Sequence, residues 1–192
     1  MVFATVELRV VAECAIDAPL DRRIRALLCA CFPAAHAVFS VTRAWHGSAP
    51  AWTVLAERTG GDVVGPLGAL VGHVGVVERS IRIAGQPFRV GGVQNVAVCA
   101  AQRGQGLARR LMQRVQALLR SEQYGAGLLF CTDDLVAVYE RCGWELLDAT
   151  RFRRITAENP VAPLPAGSRA MWQPAGATRW PPGEVHLQGG DW

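Results

Sequence analysis

A chain of 192 residues that is 51% hydrophobic and 19% charged has the composition of a packed globular protein, which excludes an extended disordered chain. Its formal net charge of +4 arises from 20 arginines and no lysine, spread along the chain rather than gathered into the basic, aromatic-laced stripe of a nucleic-acid binder. Six cysteines without a Cys-x-x-Cys pair and four scattered histidines give no zinc spacing, and no apolar run reaches the roughly 20 residues of a membrane helix. The N-terminus lacks the basic-then-apolar pattern of a signal peptide, so a cytoplasmic protein with reduced thiols is expected. Arginine alone as the long cation, with abundant Ala, Gly and Val, points to a GC-rich bacterial gene.

In chain order, residues 6–11 read as a first strand. Residues 19–31 follow as a helix with Leu20, Ile24, Leu27, Leu28 and Cys31 on one face and Pro33 as its stop. A short helix is expected at 37–45, a strand at 52–57 and turn chemistry at 59–62. Residues 67–77, a link at Glu78 and Arg79, and residues 81–83 form the next extended segment. A turn at 84–87 leads into a strand over 89–98, completing an antiparallel meander. The period then becomes helical over 104–120, where Leu107, Leu111, Val115 and Leu118 form one stripe. Arg109, Arg110, Arg114 and Arg120 lie off that stripe. A buried strand is expected at 128–131. Thr132 supplies N-cap chemistry, with Asp133 and Asp134 in the first turn of a helix ending at Gly143. Strands at 144–147 and 168–173 flank a proline-containing loop. The organisation expected is a folded domain over 1–173 and a Pro/Gly-rich extension over 174–192.

The richest stretch is Val96-Ala97-Val98 followed by Arg103-Gly104-Gln105-Gly106-Leu107-Ala108. Glycine allows the backbone to approach a ligand closely, because it has no Cβ. The first N–H groups of a helix lack internal partners, and the macrodipole adds partial positive charge there. A strand running through such a turn into a helix therefore suits a phosphate group. A Rossmann fingerprint does not fit, since its third glycine position is Arg109, and no Gly-Lys-Ser/Thr marks a P-loop.

Residues 102–108 match the Arg-x-x-Gly-x-Gly/Ala signature of the GNAT superfamily of N-acetyltransferases. The later run Ala137-Val138-Tyr139-Glu140-Arg141-Cys142-Gly143-Trp144 is similar to that superfamily's second hallmark. The resemblance covers roughly residues 3–173. It implies an α+β fold with a mixed, largely antiparallel central sheet of about six or seven strands, flanked by helices and splayed between the fourth and fifth strands. It also implies acetyl-CoA as donor, with no metal. Within the superfamily, residues 68–73, 92–98 and 103–105 and the Asp191-Trp192 ending resemble the aminoglycoside 2′-N-acetyltransferases. Gln94 stands where that family has Glu, and Phe130 where it has Ser. Acids of that family near residues 32–36 and 160–167 have no counterpart here, which removes much of the basis for holding a polycation.

The roles implied are these. Backbone N–H groups of Val96 and Val98 meet the pantetheine arm as an added strand would, with Ala97 between them also in the cofactor site. Amides of residues 103–108 hold the pyrophosphate. Tyr139 is the general acid for the departing thiolate, and the Val98 amide is the oxyanion donor. Gln94, Asn95, Phe130 and Trp192 form the acceptor wall. The general base stays open between Glu78, His73 and a water placed by Gln94. Three functions stay open: acetylation of a small-molecule primary amine, acetyl-CoA sensing with little turnover, and protein or peptide acetylation. The first takes a small-molecule amine as partner, with neither nucleic acid nor membrane, and a homodimer is left open.

Overall fold

The structure, a computed structural model, describes residues 5–59, 69–176 and 179–192. The expected turn at 59–62 and the start of the segment at 67–77 therefore lie partly outside the described residues. In chain order the elements are β1 (Thr5–Ala12), α1 (Ala18–Cys31), α2 (His36–Phe39), β2 (Trp52–Thr59), β3 (Leu70–Ile83), β4 (Gln86–Val98), α3 (Leu107–Ser121), β5 (Ala126–Cys131) and α4 (Asp133–Glu140). Then come β6 (Glu145–Leu147), β7 (Phe152–Arg154), β8 (Ala162–Pro163), β9 (Arg169–Pro174) and β10 (Val185–His186). The fold is mixed α+β with a largely antiparallel sheet; its parallel pairs are β4 with β5 and β7 with β10.

Contacts divide the chain into two compact units, each assembled from three segments. The first comprises residues 1–45, 49–76 and 95–115; the second comprises 46–48, 77–94 and 116–192. In the first unit β1 pairs antiparallel with β2 from Thr5↔Thr59 to Ala12↔Trp52, and β2 pairs antiparallel with β3. Asp17 starts α1 by accepting the Leu20 N–H at 2.8 Å, and Pro19 sits in the first turn, where its missing N–H costs nothing. The apolar stripe of α1 then buries Leu20, Ile24, Leu27 and Leu28 against Val11, Leu55 and Leu70. Phe39 closes this core, 5.4 Å from the Trp45 ring, and α2 stops there, short of the helix expected to residue 45.

In the second unit the strands lie in the order β6-β9-β5-β4-β3-β10-β7-β8. Ala84 and Gly85, with φ of +48° and +80°, make the two-residue turn between β3 and β4, so Gln86 and Pro87 already belong to β4. No link interrupts β3 at Glu78 and Arg79. Glu78 instead meets Arg89 of β4 at 3.0 Å, which satisfies a charge that on its own reads as a break. The parallel ladder of β4 on β5 runs from Val90↔Ala126 to Val93↔Leu129, and both strands continue past it. Among the described residues the sheet has ten strands, the short β7, β8 and β10 beyond residue 148 adding to the six or seven of the expected sheet. Thr132 precedes α4 as expected, yet its side chain makes no capping hydrogen bond.

The C-terminal residues 185–192 are part of the second unit's core. Val185, Leu187 and Trp192 are buried with Phe152, Ile81 and Leu128. Gly189 accepts the Ile155 N–H through its carbonyl at 2.8 Å, and the Arg79 guanidinium donates to the Gly190 carbonyl. The Trp192 indole donates to the Leu128 carbonyl at 3.3 Å and lies on Gly92 so closely that a Cβ there would stand 2.3 Å from Cε2. Gly92→Ala should therefore cost about 1–3 kcal/mol of stability, the usual scale of overpacking. Urea unfolding of Gly92→Ala, Trp192→Leu and the double variant checks this. The double variant should be more stable than the sum of the two losses, because the smaller side chain makes room for the added methyl.

Candidate functional site

In the first unit, β4 ends on alternating residues: Ala97 is buried against the α1 core, whereas Val96 and Val98 are half-buried. Just before them Asn95 has a φ of +55°. A left-handed residue inside a strand breaks the ladder and turns the strand that follows. Asn95 is held from two sides. Its Nδ2 donates to the Arg43 carbonyl at 2.9 Å, and its own carbonyl lies 2.9 Å from His73 Nδ1.

After β4 a single 3-10 turn at Ala100–Gln102 leads to residues 103–106 and then α3. Gly104 and Gly106 both have a φ of +74°, and an added Cβ would meet nothing within 4 Å at either. Glycine is required by backbone conformation here, and the space above the turn is open. The N–H groups of Gly104, Gln105 and Gly106 have no backbone acceptor among the described residues. The turn is braced from its flanks: Arg103 Nε donates to the Val98 carbonyl at 3.1 Å, and Gln105 Nε2 donates to the Ala101 carbonyl at 3.0 Å. Leu107 is buried and Ala108 half-buried, which anchors the first turn of α3 beneath these amides. Exposed donors at the start of a 15-residue helix fit a pyrophosphate group.

The second unit holds the other expected site residues. Gln94 is buried, and its Nε2 donates to the Ser48 carbonyl at 2.8 Å. Phe130 and Trp192 come together, their ring centroids 5.2 Å apart, and Phe130 also meets Phe152 edge-on. Trp192 is thus a buried core residue with the Arg79 guanidinium 4.9 Å over its ring. Asp191 pairs with Arg154 at 2.9 Å and with His46 at 3.3 Å, so its charge is already countered. Tyr139 is half-buried on α4 beside Cys131 and Cys142. Removal from water pushes its phenol well above the usual range, so it is protonated but a weaker acid than a free tyrosine.

The two titratable groups considered as general base are both engaged. His73 is fully buried, and desolvation lowers its pKa to about 4, so it is neutral and serves Asn95. Glu78 accepts from Arg89 Nε at 3.0 Å and from the Tyr124 hydroxyl at 3.2 Å; the Arg89 bond holds its carboxyl below the usual range. Neither is poised to take a proton from an ammonium group. Among the described residues no cluster of three or more His, Cys, Asp or Glu could hold a metal ion. No described helix is long and apolar enough to cross a membrane.

The sequence profile described as "Acetyltransferase (GNAT) domain" matches residues 22–147. An aminoglycoside 2′-N-acetyltransferase of Mycolicibacterium fortuitum is 35% identical over 115 residues, covering 59% of this chain and 49% of that protein. Glucosamine 6-phosphate N-acetyltransferase 1 of Oryza sativa subsp. japonica is 37% identical over 76 residues, covering 40% of this chain and 44% of that protein. The matched regions span about half the length of these curated relatives or less. In fold, the chain is similar to a GNAT family N-acetyltransferase from Escherichia coli solved in complex with CoA. That likeness has a TM-score of 0.64 at 21% identity and covers 97% of this chain and 92% of the other. A GNAT family acetyltransferase from Brucella melitensis in complex with acetyl-CoA gives a TM-score of 0.57 at 18% identity, over 93% and 94% of the two chains.

Burial of neutral His73 ties stability to pH. The unfolded chain takes up a proton on this residue below about 6.5, whereas the folded chain resists until about 4. Stability from this group is therefore complete above pH 6.5 and falls as pH drops toward 4, by on the order of 3 kcal/mol in total. Urea unfolding at pH 7 and pH 4 should show a smaller acid loss for His73→Gln, which keeps a donor for the Asn95 carbonyl but cannot titrate.

Proposed function

The chain belongs to the GNAT acetyltransferase family, and from that premise we propose that it transfers the acetyl group of acetyl-CoA directly to the primary amine of a small molecule. The observation that carries this reading is the turn before α3. Two left-handed glycines lie under open space there, with three backbone N–H groups that lack backbone acceptors among the described residues. Residues 103–108 hold the pyrophosphate through these amides, and the N–H groups along Val96, Ala97 and Val98 hold the pantetheine arm.

Acetyl-CoA supplies the activated thioester. The Val98 amide faces the charge that develops on the thioester oxygen. Tyr139 donates its proton to the departing thiolate. Gln94 has no basic atom, so the amine's proton leaves through water. Gln94 stands where the aminoglycoside relative's family has Glu, and Gln94, Asn95 and Phe130 make the acceptor wall neutral. A polycationic aminoglycoside is then a poorer acceptor than a smaller, less charged amine. One observation favours a second reading, a CoA-binding module with little turnover: both groups considered as general base, His73 and Glu78, are already engaged. Thioester cleavage measured beside acetyl-CoA binding separates the two.

Gly104→Asp or Gly106→Asp should abolish acetyl-CoA binding in calorimetry and leave the far-UV spectrum unchanged, since each places a carboxylate where the pyrophosphate sits. Tight binding by either variant contradicts the assignment. Tyr139→Phe should lower kcat about a hundredfold with little change in KM for acetyl-CoA, the scale of a lost general acid. An unchanged kcat returns Tyr139 to a packing role.

A further inference from the structure

The second unit contains a cavity of about 580 Å³ between β7, β8 and the start of β9. Its lining includes Arg153, Arg169, Thr150, Ser168, Leu164 and Pro165, and no carboxylate. The two guanidiniums are only partly committed. Arg169 gives Nε and Nη2 to Asp133 at 2.5 and 2.7 Å. Arg153 gives Nε to Glu184 at 2.9 Å and Nη1 to the carbonyls of Thr150 and Phe152. Arg169 Nη1, Arg153 Nη2 and the Ser168 hydroxyl therefore have no acceptor among the described residues. Thr150 differs, since its hydroxyl is spent on Asp148 at 2.6 Å. One unspent Nη nitrogen on each arginine, together with a hydroxyl donor, suits a planar or tetrahedral anion. Leu164 and the two prolines of the lining add apolar surface beside it.

The cavity lies in the same unit as Tyr139. Arg169 lies opposite Cys131 in the β5–β9 register, and Cys131 neighbours Tyr139. Carboxylates do stand close by. Asp133 and Glu184 hold the Nε edges of the two arginines, Asp148 holds Thr150, and Asp191 belongs to Arg154. All four are outside the lining.

We infer that this cavity receives the anionic group, a carboxylate or a phosphate, of the amine that is acetylated. The acceptor is thus an amine bearing an acid on the same small molecule, an inference that rests on the acetyltransferase reading. The acid docks on Arg153, Arg169 and Ser168, and its charge discriminates against polycations.

Two measurements on the full chain test it. In the first, calorimetry titrates inorganic phosphate and, separately, acetate. Wild type should bind at least one of them, which tells the phosphate source from the carboxylate source. The double variant Arg153→Ala/Arg169→Ala should bind that anion at least tenfold more weakly. Asp133→Asn and Glu184→Gln break the same ion pairs but keep the guanidiniums, and should bind as tightly or tighter. Arg153→Lys/Arg169→Lys guards against a fold lost with both arginines, and should retain part of the affinity. In the second, initial rates compare glucosamine 6-phosphate with glucosamine, and phenylalanine with its amide. The acid-bearing member of the pair identified by calorimetry should have the lower KM. The arginine variants should erase that difference and leave acetyl-CoA affinity unchanged. Absence of anion binding by wild type, or equal binding by the double alanine variant, overturns the inference. A chain that fails to bind acetyl-CoA overturns the acetyltransferase reading, while calorimetry with the anions still decides the cavity.

Discussion

A left-handed asparagine within a β-strand is the constraint around which the first unit is arranged. Such a conformation costs about 1–3 kcal/mol and persists only where its surroundings over-determine it. Asn95 is fixed by the His73 ring on its carbonyl and by the Arg43 carbonyl on its amide. Arg43 is itself immobilised, being buried and paired with Glu13 and with Asp21 at 2.7 Å. Asp21 sits in the first turn of α1 and also holds Arg25. Burial opposes its charge, but the hydrogen bonds from Arg25 and Arg43 outweigh burial and its pKa is lowered. The network thus ties the start of α1, the segment before residue 45 and the end of β4 to one backbone distortion. The residues that follow Asn95 are Val96 to Val98, and they lead directly into the glycine turn.

The second unit spends its charges in a different way. Glu78 with Arg89, Glu184 with Arg153, Asp133 with Arg169 and Asp191 with Arg154 are each pairs between separate stretches of chain. The first three lie at the surface, where such pairs contribute little to stability individually, whereas Asp191 is buried. Their functional effect is larger at Glu78 and Asp133, whose carboxyls Arg89 and Arg169 hold below the usual range. What remains is donor capacity on the arginines, together with an aromatic row from Trp192 through Phe130 and Phe152 to Trp180. The unit offers hydrogen-bond donors and ring faces.

Features governed by neighbours in sequence were legible in the chain. The stripe Leu107, Leu111, Val115 and Leu118 is buried and Arg109, Arg110, Arg114 and Arg120 are exposed, because helical period is a local property. The Gly104 and Gly106 turn was equally legible, since glycine's freedom is intrinsic to the residue. Asn95 was expected only as a wall residue, because its strain depends on His73 and Arg43, far away in sequence. Glu78 and Arg79 read as a break in a strand, because the partners that let charges sit there come from β4 and from the last residues of the chain. Short strands such as β8 and β10, two residues each, have no periodicity to detect. Arg153 and Arg169 look like ordinary surface cations until β7 and β9 bring them to one cavity.

The way the chain is divided has a consequence for assembly. Each unit draws on three separated stretches, and β3, β4 and α3 each pass from one unit to the other. No single cut therefore yields two fragments that each contain a whole unit. The β1–β2 ladder already joins Thr5 to Thr59, and β10 must wait for the last residues before it can pair with β3. Loop-closure entropy has to be met before such distant pairings return any stabilisation, which slows folding. The two units are expected to mature as interleaved parts of one late cooperative event rather than one after the other along the chain.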